Sequence, residues 1–450
     1  GLYSAHWRVV SADGHPVAGT LPFSVGHGAP VTQASVTGYT PGWDAVLIRW
    51  AGYLGLSFAA GTLAFRRFVL PETLRTEAGV KLRLAHCQRV GWVLLVCAVL
   101  AALPLQARLD AGVGWGRALS PSTWWPTLAS TRFGTLWAAR LGLTVAALAM
   151  RRLGPGPLAV WGTFAACVGI MGTMSASGHA VSGPHPAWSI AMDTLHLAAA
   201  TLWIGSLAGM GVGLGGVAAP GNREESAARY WETMRRFAPW GLGSVGVLVA
   251  TGWSAASVNI PSRYAWVHTA YGQTLLLKLT AFLLMFGLAA HHWMRARRAP
   301  ARRRRTIQRT IAIELGLGIA VFAVTSYLTN LPPASATPGP VNETATLPGG
   351  VRATLRIDPN EVGDNRFEVD LADRGGRPVT AIQQVTLTFT SLDMDMGAAT
   401  VRLLPAGPGV YRAQGLYLTM AGRWRGHLHV LTADLSDWDT DFRFVVGQPQ

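Results

Sequence analysis

For its first three quarters the chain alternates long apolar runs with short polar interruptions, and then its rhythm changes. Apolar stretches lie near residues 44–68, 86–107, 134–150, 157–177, 187–216, 239–257, 272–292 and 307–330. Each approaches the roughly 20 residues that a helix needs to cross a bilayer. Eight spanning helices are therefore predicted, the fifth long enough to tilt or to project past the lipid. Ahead of them, "YSAHWRVV" and "GTLPFSV" alternate with the two-residue period of strands around the turn "SADGHPVA". They are too few to fold alone and read as the tail of a larger β-sandwich. Behind the helices, the Pro-rich "NLPPASATPGPVN" reads as a linker. Residues 345–450 then break into short alternating runs such as "VRATLRI", "VTLTFTSL" and "RWRGHLHVL", separated by Gly and Pro turns, which predicts an immunoglobulin-like β-sandwich.

The predicted fold class is thus a mainly α membrane protein. An eight-helix transmembrane bundle is flanked by extracytoplasmic β segments, with the sandwich at the C-terminal end. The predicted units are strands over 1–28, a linker over 29–43, the bundle over 44–330, a second linker over 331–344 and the β-sandwich over 345–450. The sequence opens at Gly1 within a strand, so a preceding segment is expected.

Composition agrees: 50% of residues are hydrophobic, 14% are charged and mean hydropathy is +0.27. A soluble chain keeps about a quarter of its residues charged. The net charge of +15 suggests nucleic acid until its distribution is read. Basic residues fill alternate loops: Arg66 to Arg89, Arg151 and Arg152, Arg223 to Arg236, and Arg295 to Arg309. The opposite loops hold only Arg108, Arg117, Arg132 and Arg263. The positive-inside rule then places both termini outside the cytoplasm, and makes "RRAPARRRR" a lipid-facing anchor with no nucleic-acid partner. Cys87, Cys97 and Cys167 all fall inside apolar runs, so no disulfide framework is implied.

Ionisable side chains within a bilayer are costly, and they are functional or paired. Here they are Arg49, Arg140, Asp193, His196, Lys278 and Glu314. In the fifth span Met192 and His196 are four apart and Asp193 and His196 three apart, so the three share a helix face. In the fourth span Cys167, Met171 and Met174 form a stripe of soft sulfur, followed by His179 at the mouth. Thioethers and thiolates select Cu(I), and imidazole suits copper in either oxidation state. Each feature also has a structural reading. Methionine fills gaps in membrane helices, Cys167 is a small hydrophobe, and Asp193 could pair with Arg140, Arg49 or Lys278. His185 reads as an ordinary loop residue. Outside the membrane, Asp13 and His15 point the same way in an extended segment. So do Met394 and Met396 in "LDMDMG", and His427 and His429 in "GHLHV". Each pair suits a metal, and each is equally at home on an ordinary turn or strand face.

Several stretches resemble known families. "YSAHWRVVSADGHPVAGTLPFSVG" is similar to the end of the periplasmic copper-binding protein CopC. That resemblance implies Asp13 and His15 as Cu(II) ligands, with the remaining ligand on a part of that domain outside this sequence. "SGHA", "DTLHLAAATLWIGSLAG", "YGQTLLLKLTAFLLMFGLAA" and "AIELGLGIAVFAVTSYLTNLPPA" resemble the copper-resistance protein CopD and cover much of residues 44–333. "FTSLDMDMG" and "GRWRGHLHV" are similar to YtkA-like extracytoplasmic domains. The resemblance implies a CopC–CopD fusion in copper uptake, not an enzyme. Copper captured outside, with an extracytoplasmic copper-binding protein as a further partner, would pass to Met171, Met174, His179, Met192, Asp193 and His196. The copper would be Cu(I) in the membrane site and Cu(II) at the CopC-like motif. The alternatives are a haem-binding membrane oxidoreductase, needing a second His at the depth of His196, and a copper-binding membrane module without transport.

Overall fold

The computed structural model describes residues 2–10, 16–25, 35–37, 40–178, 181, 185–214, 223–260, 262–296, 304–395 and 397–447. Strands β1 (Leu2–Val10) and β2 (Pro16–Ser24) pair antiparallel in a register running from Leu2 opposite Ser24 to Val10 opposite Pro16. A short β3 (Ser35–Thr37) adds to the free edge of β2, within the stretch read from sequence as a linker.

All eight predicted spans are helices of membrane length. They are α1 (Trp43–Val69), α2 (Ala78–Ala111), α3 (Arg132–Arg152), α4 (Pro157–Ser175), α5 (Pro186–Gly213), α6 (Arg223–Asn259), α7 (Ala270–Ala296) and α8 (Arg304–Leu328). Local chemistry sets several of their ends. Pro157 and Pro186 open α4 and α5 at a position with no amide bond to lose. Gly112, at φ 65°, closes α2 in the left-handed conformation that glycine adopts without strain. The Thr131 hydroxyl accepts from the Gly134 amide at 3.0 Å and caps α3.

The bundle packs through small residues, because lipid tails supply no hydrophobic drive between helices. A Cβ on Gly61 of α1 would lie 2.2 Å from the Thr201 carbonyl oxygen of α5, and one on Gly205 of α5 would lie 2.4 Å from the Gly61 Cα. At this crossing α1 widens into a π-helical turn over Ser57–Gly61. One core cluster joins α1 and α5 to α2, α6, α7 and α8 through Phe65, Trp203, Met210, Met285 and Phe322. A second joins them to α2, α3 and α4 through Leu56, Leu95, Cys167, Ile170 and Met171. The fifth span is therefore the central post, buried over much of its length.

The C-terminal strands are β4 (Val341–Thr346), β5 (Arg352–Asp358), β6 (Gly363–Ala372), β7 (Ile382–Ser391), β8 (Ala398–Gly407), β9 (Val410–Leu418), β10 (Gly422–Thr432) and β11 (Asp437–Val446). They form an antiparallel ladder in the order β11-β10-β7-β8-β9-β6-β5-β4. β8 pairs with β7 through its first residues and with β9 through its last, so it passes between two halves of the ladder. The halves face each other across one core, where the Phe367 and Phe389 rings sit 4.8 Å apart. Alternate residues point inward, as the sequence pattern requires. Eight strands form here, with β4 beginning at Val341, inside the Pro-rich stretch. That stretch packs on the bundle: Ala334 is buried with Ile260 and Ala265, and the Ser262 hydroxyl donates to the Pro338 carbonyl at 3.4 Å.

A candidate metal cavity at one end of the bundle

The helix ends converge on a cavity of about 540 Å³. It is lined from the first turns to the middle of α1, α3, α5 and α7, from the middle to the last turns of α2, α6 and α8, and by the last turn of α4, so it occupies one end of the bundle and reaches its middle. Helical periodicity decides what faces it. On α5, Met192, Asp193 and His196 line it together, and on α7 Tyr271, Lys278 and Met285 do so at spacings of seven residues. Met174 reaches it from α4, with its terminal methyl 3.6 Å from where a Cβ on Gly52 would stand.

His196 is oriented by a defined chain of hydrogen bonds. Its Nδ1 lies 2.8 Å from the Thr251 hydroxyl of α6. That hydroxyl donates to the Val247 carbonyl at 2.7 Å, so toward the imidazole it can only accept. Nδ1 therefore carries the hydrogen, and in the neutral ring Nε2 keeps its lone pair, the arrangement by which a second residue fixes a metal-binding imidazole.

The charged side chains of the cavity are differently placed. Arg140, 7% exposed, donates from Nε to the Thr173 hydroxyl at 3.1 Å and from Nη2 to the Thr173 carbonyl and the Ser177 hydroxyl, both at 2.9 Å. Arg49 donates from Nη1 to the Thr329 carbonyl. Among the described residues, no ion pair joins Asp193 to Arg49, Arg140 or Lys278. Of the pairings offered by the sequence as the structural explanation of Asp193, the one with Lys278 acts through space without a direct ion pair.

The other residues singled out from sequence divide clearly. Met171, 3% exposed, lies deeper on α4 among Cys167 and Ile170 and does not line the cavity. Asp13, His15, His179 and Met396 lie outside the described residues. His185 sits exposed at the start of α5. Met394 is 57% exposed on the loop after β7, where neighbouring Asp393 is paired with Arg423 at 2.7 Å. His427 and His429 do share a face of β10, but carboxylates of β11 hold them. Their Nδ1 atoms lie 2.8 and 2.9 Å from Asp441 and Asp439. The structure therefore brings together Met174, Met192, Asp193 and His196, and keeps the β-domain candidates apart from them.

Among the described residues no three His, Cys, Asp or Glu side chains converge as a metal-ligand set. A metal in this cavity would draw on thioether sulfur beside one imidazole, a donor set that favours Cu(I). His86, His268 and His291 lie outside the cavity, so none of them supplies the second axial ligand that a haem beside His196 requires. Sequence reasoning missed Thr251, Tyr271 and Met285. Only the three-dimensional packing of α6 and α7 against α5 gives Thr251 and Met285 their meaning, while Tyr271 and Met285 fall on the Lys278 face.

Comparison with known proteins bears on the whole chain. Residues 1–26 match the CopC domain, 40–187 the copper resistance protein D-like N-terminal domain, 231–328 copper resistance protein D, and 349–429 the YtkA-like domain. The copper transport protein CutJ of Bacillus subtilis (strain 168) is 34% identical over 448 residues, covering 97% of this chain and 81% of that protein. That relative is named for copper transport, and two of the family models for copper resistance. The chain is a multi-pass membrane protein of the CopC–CopD fusion family, with a YtkA-like domain at its C-terminal end.

Proposed function

We propose that this chain carries copper inward across the bacterial cytoplasmic membrane, and that the cavity at the end of the bundle is where copper first leaves water. Met174, Met192, Asp193 and His196 receive it there. The observation that carries this reading is the cavity itself. It gathers two thioethers, a carboxylate and an imidazole with a free Nε2 from two different helices, while the sulfur of Met171 is packed away. Soft donors of this kind prefer Cu(I). The cavity lies at the end of the bundle opposite the basic loops, and the positive-inside rule supports an outer position for it, on the side of the β domains. Copper captured by the CopC-like strands, through Asp13 and His15, or supplied by a separate extracytoplasmic protein, would enter from that side. The similar Bacillus subtilis protein is named for copper transport.

The test is copper accumulation by cells, together with copper content of the purified full chain. Met174→Leu and His196→Ala should each lower both. Unchanged accumulation and unchanged copper content in both variants would remove the cavity from the pathway. Wild-type protein that binds copper but moves none into vesicles would leave a copper-binding membrane module in place of a transporter.

A further inference from the structure

The cavity is poorly designed for a bare cation. Its lining holds Arg49, Arg140 and Lys278 against one carboxylate, Asp193. Charged groups inside a bilayer are retained where something of opposite sign answers them. Here Asp193 is near enough to act on Lys278 without forming an ion pair, and among the described residues neither Arg49 nor Arg140 has a carboxylate within ion-pairing distance. Arg140 spends three hydrogens on Thr173 and Ser177 and Arg49 spends one on Thr329, so each guanidinium keeps N–H groups for a further acceptor. A lone cuprous ion entering this field meets net repulsion.

Size points the same way. A metal ion needs little more room than a water molecule, for which about 10–15 Å³ suffices. A volume of about 540 Å³ falls in the range of pockets that enclose small organic ligands. Aromatic side chains, Trp203, Phe282 and Phe322 among them, form much of its wall.

We propose that copper occupies this cavity as an anionic complex, held by a small carboxylate-bearing chelator whose negative groups are received by Arg49, Arg140 and Lys278 while Met174 and His196 face the metal. The inference rests on the copper-carrying reading of the cavity and names the form in which copper is taken. Guanidinium groups suit carboxylates because two parallel N–H donors match the two oxygens. Lys278, on the helix facing them, adds a point charge. Three cations against one carboxylate then become the complement of a chelate whose own charge is negative.

The probe is the Cu(I) complex of glutathione, a tripeptide whose thiolate holds the metal and whose two carboxylates carry the charge. The full chain in lipid nanodiscs is given either this complex with a ³⁵S label, or Cu(I) stabilised only by acetonitrile. Retained copper and retained ³⁵S are measured together. The wild type should retain label and copper in fixed ratio, and should prefer the complex to acetonitrile-delivered copper. Lys278→Gln and Arg49→Gln should each lower that preference at least tenfold, and Lys278→Arg should restore most of it. Since Arg140 also ties α3 to α4, Arg140→Gln is read only alongside these two. Copper retained from the glutathione complex without ³⁵S overturns this inference and leaves the copper site standing. A preference unchanged in both Lys278→Gln and Arg49→Gln overturns it equally. A wild type that retains copper from neither source sinks the copper site itself, and this inference falls with it.

Discussion

The bundle and the C-terminal β domain both display histidines near carboxylates, yet they treat charge in opposite ways. On the β domain, His427 and His429 are clipped to Asp441 and Asp439, Glu368 is shared by Arg356 and Arg412 at 2.7 and 2.6 Å, and Asp393 is closed by Arg423. Water surrounds these groups, and pairing there adds modest stability. In the bundle, where water is scarce and an unanswered charge costs most, Arg49, Arg140, Lys278 and Asp193 line the cavity of His196 without a direct ion pair, among the described residues. Paired charge on a wet surface serves the fold. On the proposed function, the charge left around the cavity serves a ligand.

That contrast can be broken or sharpened in three ways. The largest effect is expected from Phe367→Ala, which removes a fully buried ring from the centre of the β core and costs about 3–5 kcal/mol. Hydrogen exchange on the full chain should show protection lost across β5, β6, β7 and β10 while α1 to α8 keep theirs. Helices that loosen with the sandwich would mean that the two regions fold as one.

Next comes the imidazole. His196→Ala should weaken copper binding by roughly a hundredfold, about 2.7 kcal/mol. Thr251→Val, which leaves the ring but frees its tautomer, should cost roughly tenfold. The double change His427→Ala with His429→Ala should alter binding in the cavity less than about twofold, since those rings sit on another domain. A titration of full-length variants in detergent reads all three. Equal losses from the two histidine sets would erase the distinction drawn between the regions.

The smallest effect is electrostatic. Hydrogen bonds from Arg412 and then Arg356 hold Glu368 below its ordinary value of 4.5. A carboxyl depressed in the folded state stabilises above its unfolded value, and that contribution disappears as pH falls through the lower folded value. The β domain of the full chain should therefore lose about 1 kcal/mol of resistance to pulsed proteolysis across that acid window. Glu368→Gln should flatten this part of the profile. A slope in the variant equal to that of the wild type would assign the acid sensitivity to other groups.

The spans were legible because lipid imposes a simple rule, long apolar runs with basic residues at alternate ends, and all eight appear as helices. The alternation of "VTLTFTSL" and "RWRGHLHVL" likewise marked β7 and β10. β3 and β4 escaped because Ser35–Thr37 is three residues long and Val341 follows a run of Pro and Gly that reads as punctuation. In the site, Met192, Asp193 and His196 were readable from spacing on a single helix. Met171 and Met174 looked equivalent by the same rule. Only packing separates them, since the cavity ends between one turn of α4 and the next. Whether Asp193 finds a counter-charge depends on distances between helices, which no periodicity carries.

The central claim is that copper sits at the outer end of the bundle, bound by sulfur and by the free nitrogen of His196. X-ray absorption at the copper edge of the loaded full chain tests it directly. The account predicts sulfur and nitrogen scatterers around copper in the wild type, with the sulfur contribution reduced in Met174→Leu and the imidazole signature lost in His196→Ala. A spectrum of oxygen and nitrogen neighbours alone, identical in both variants, would contradict it.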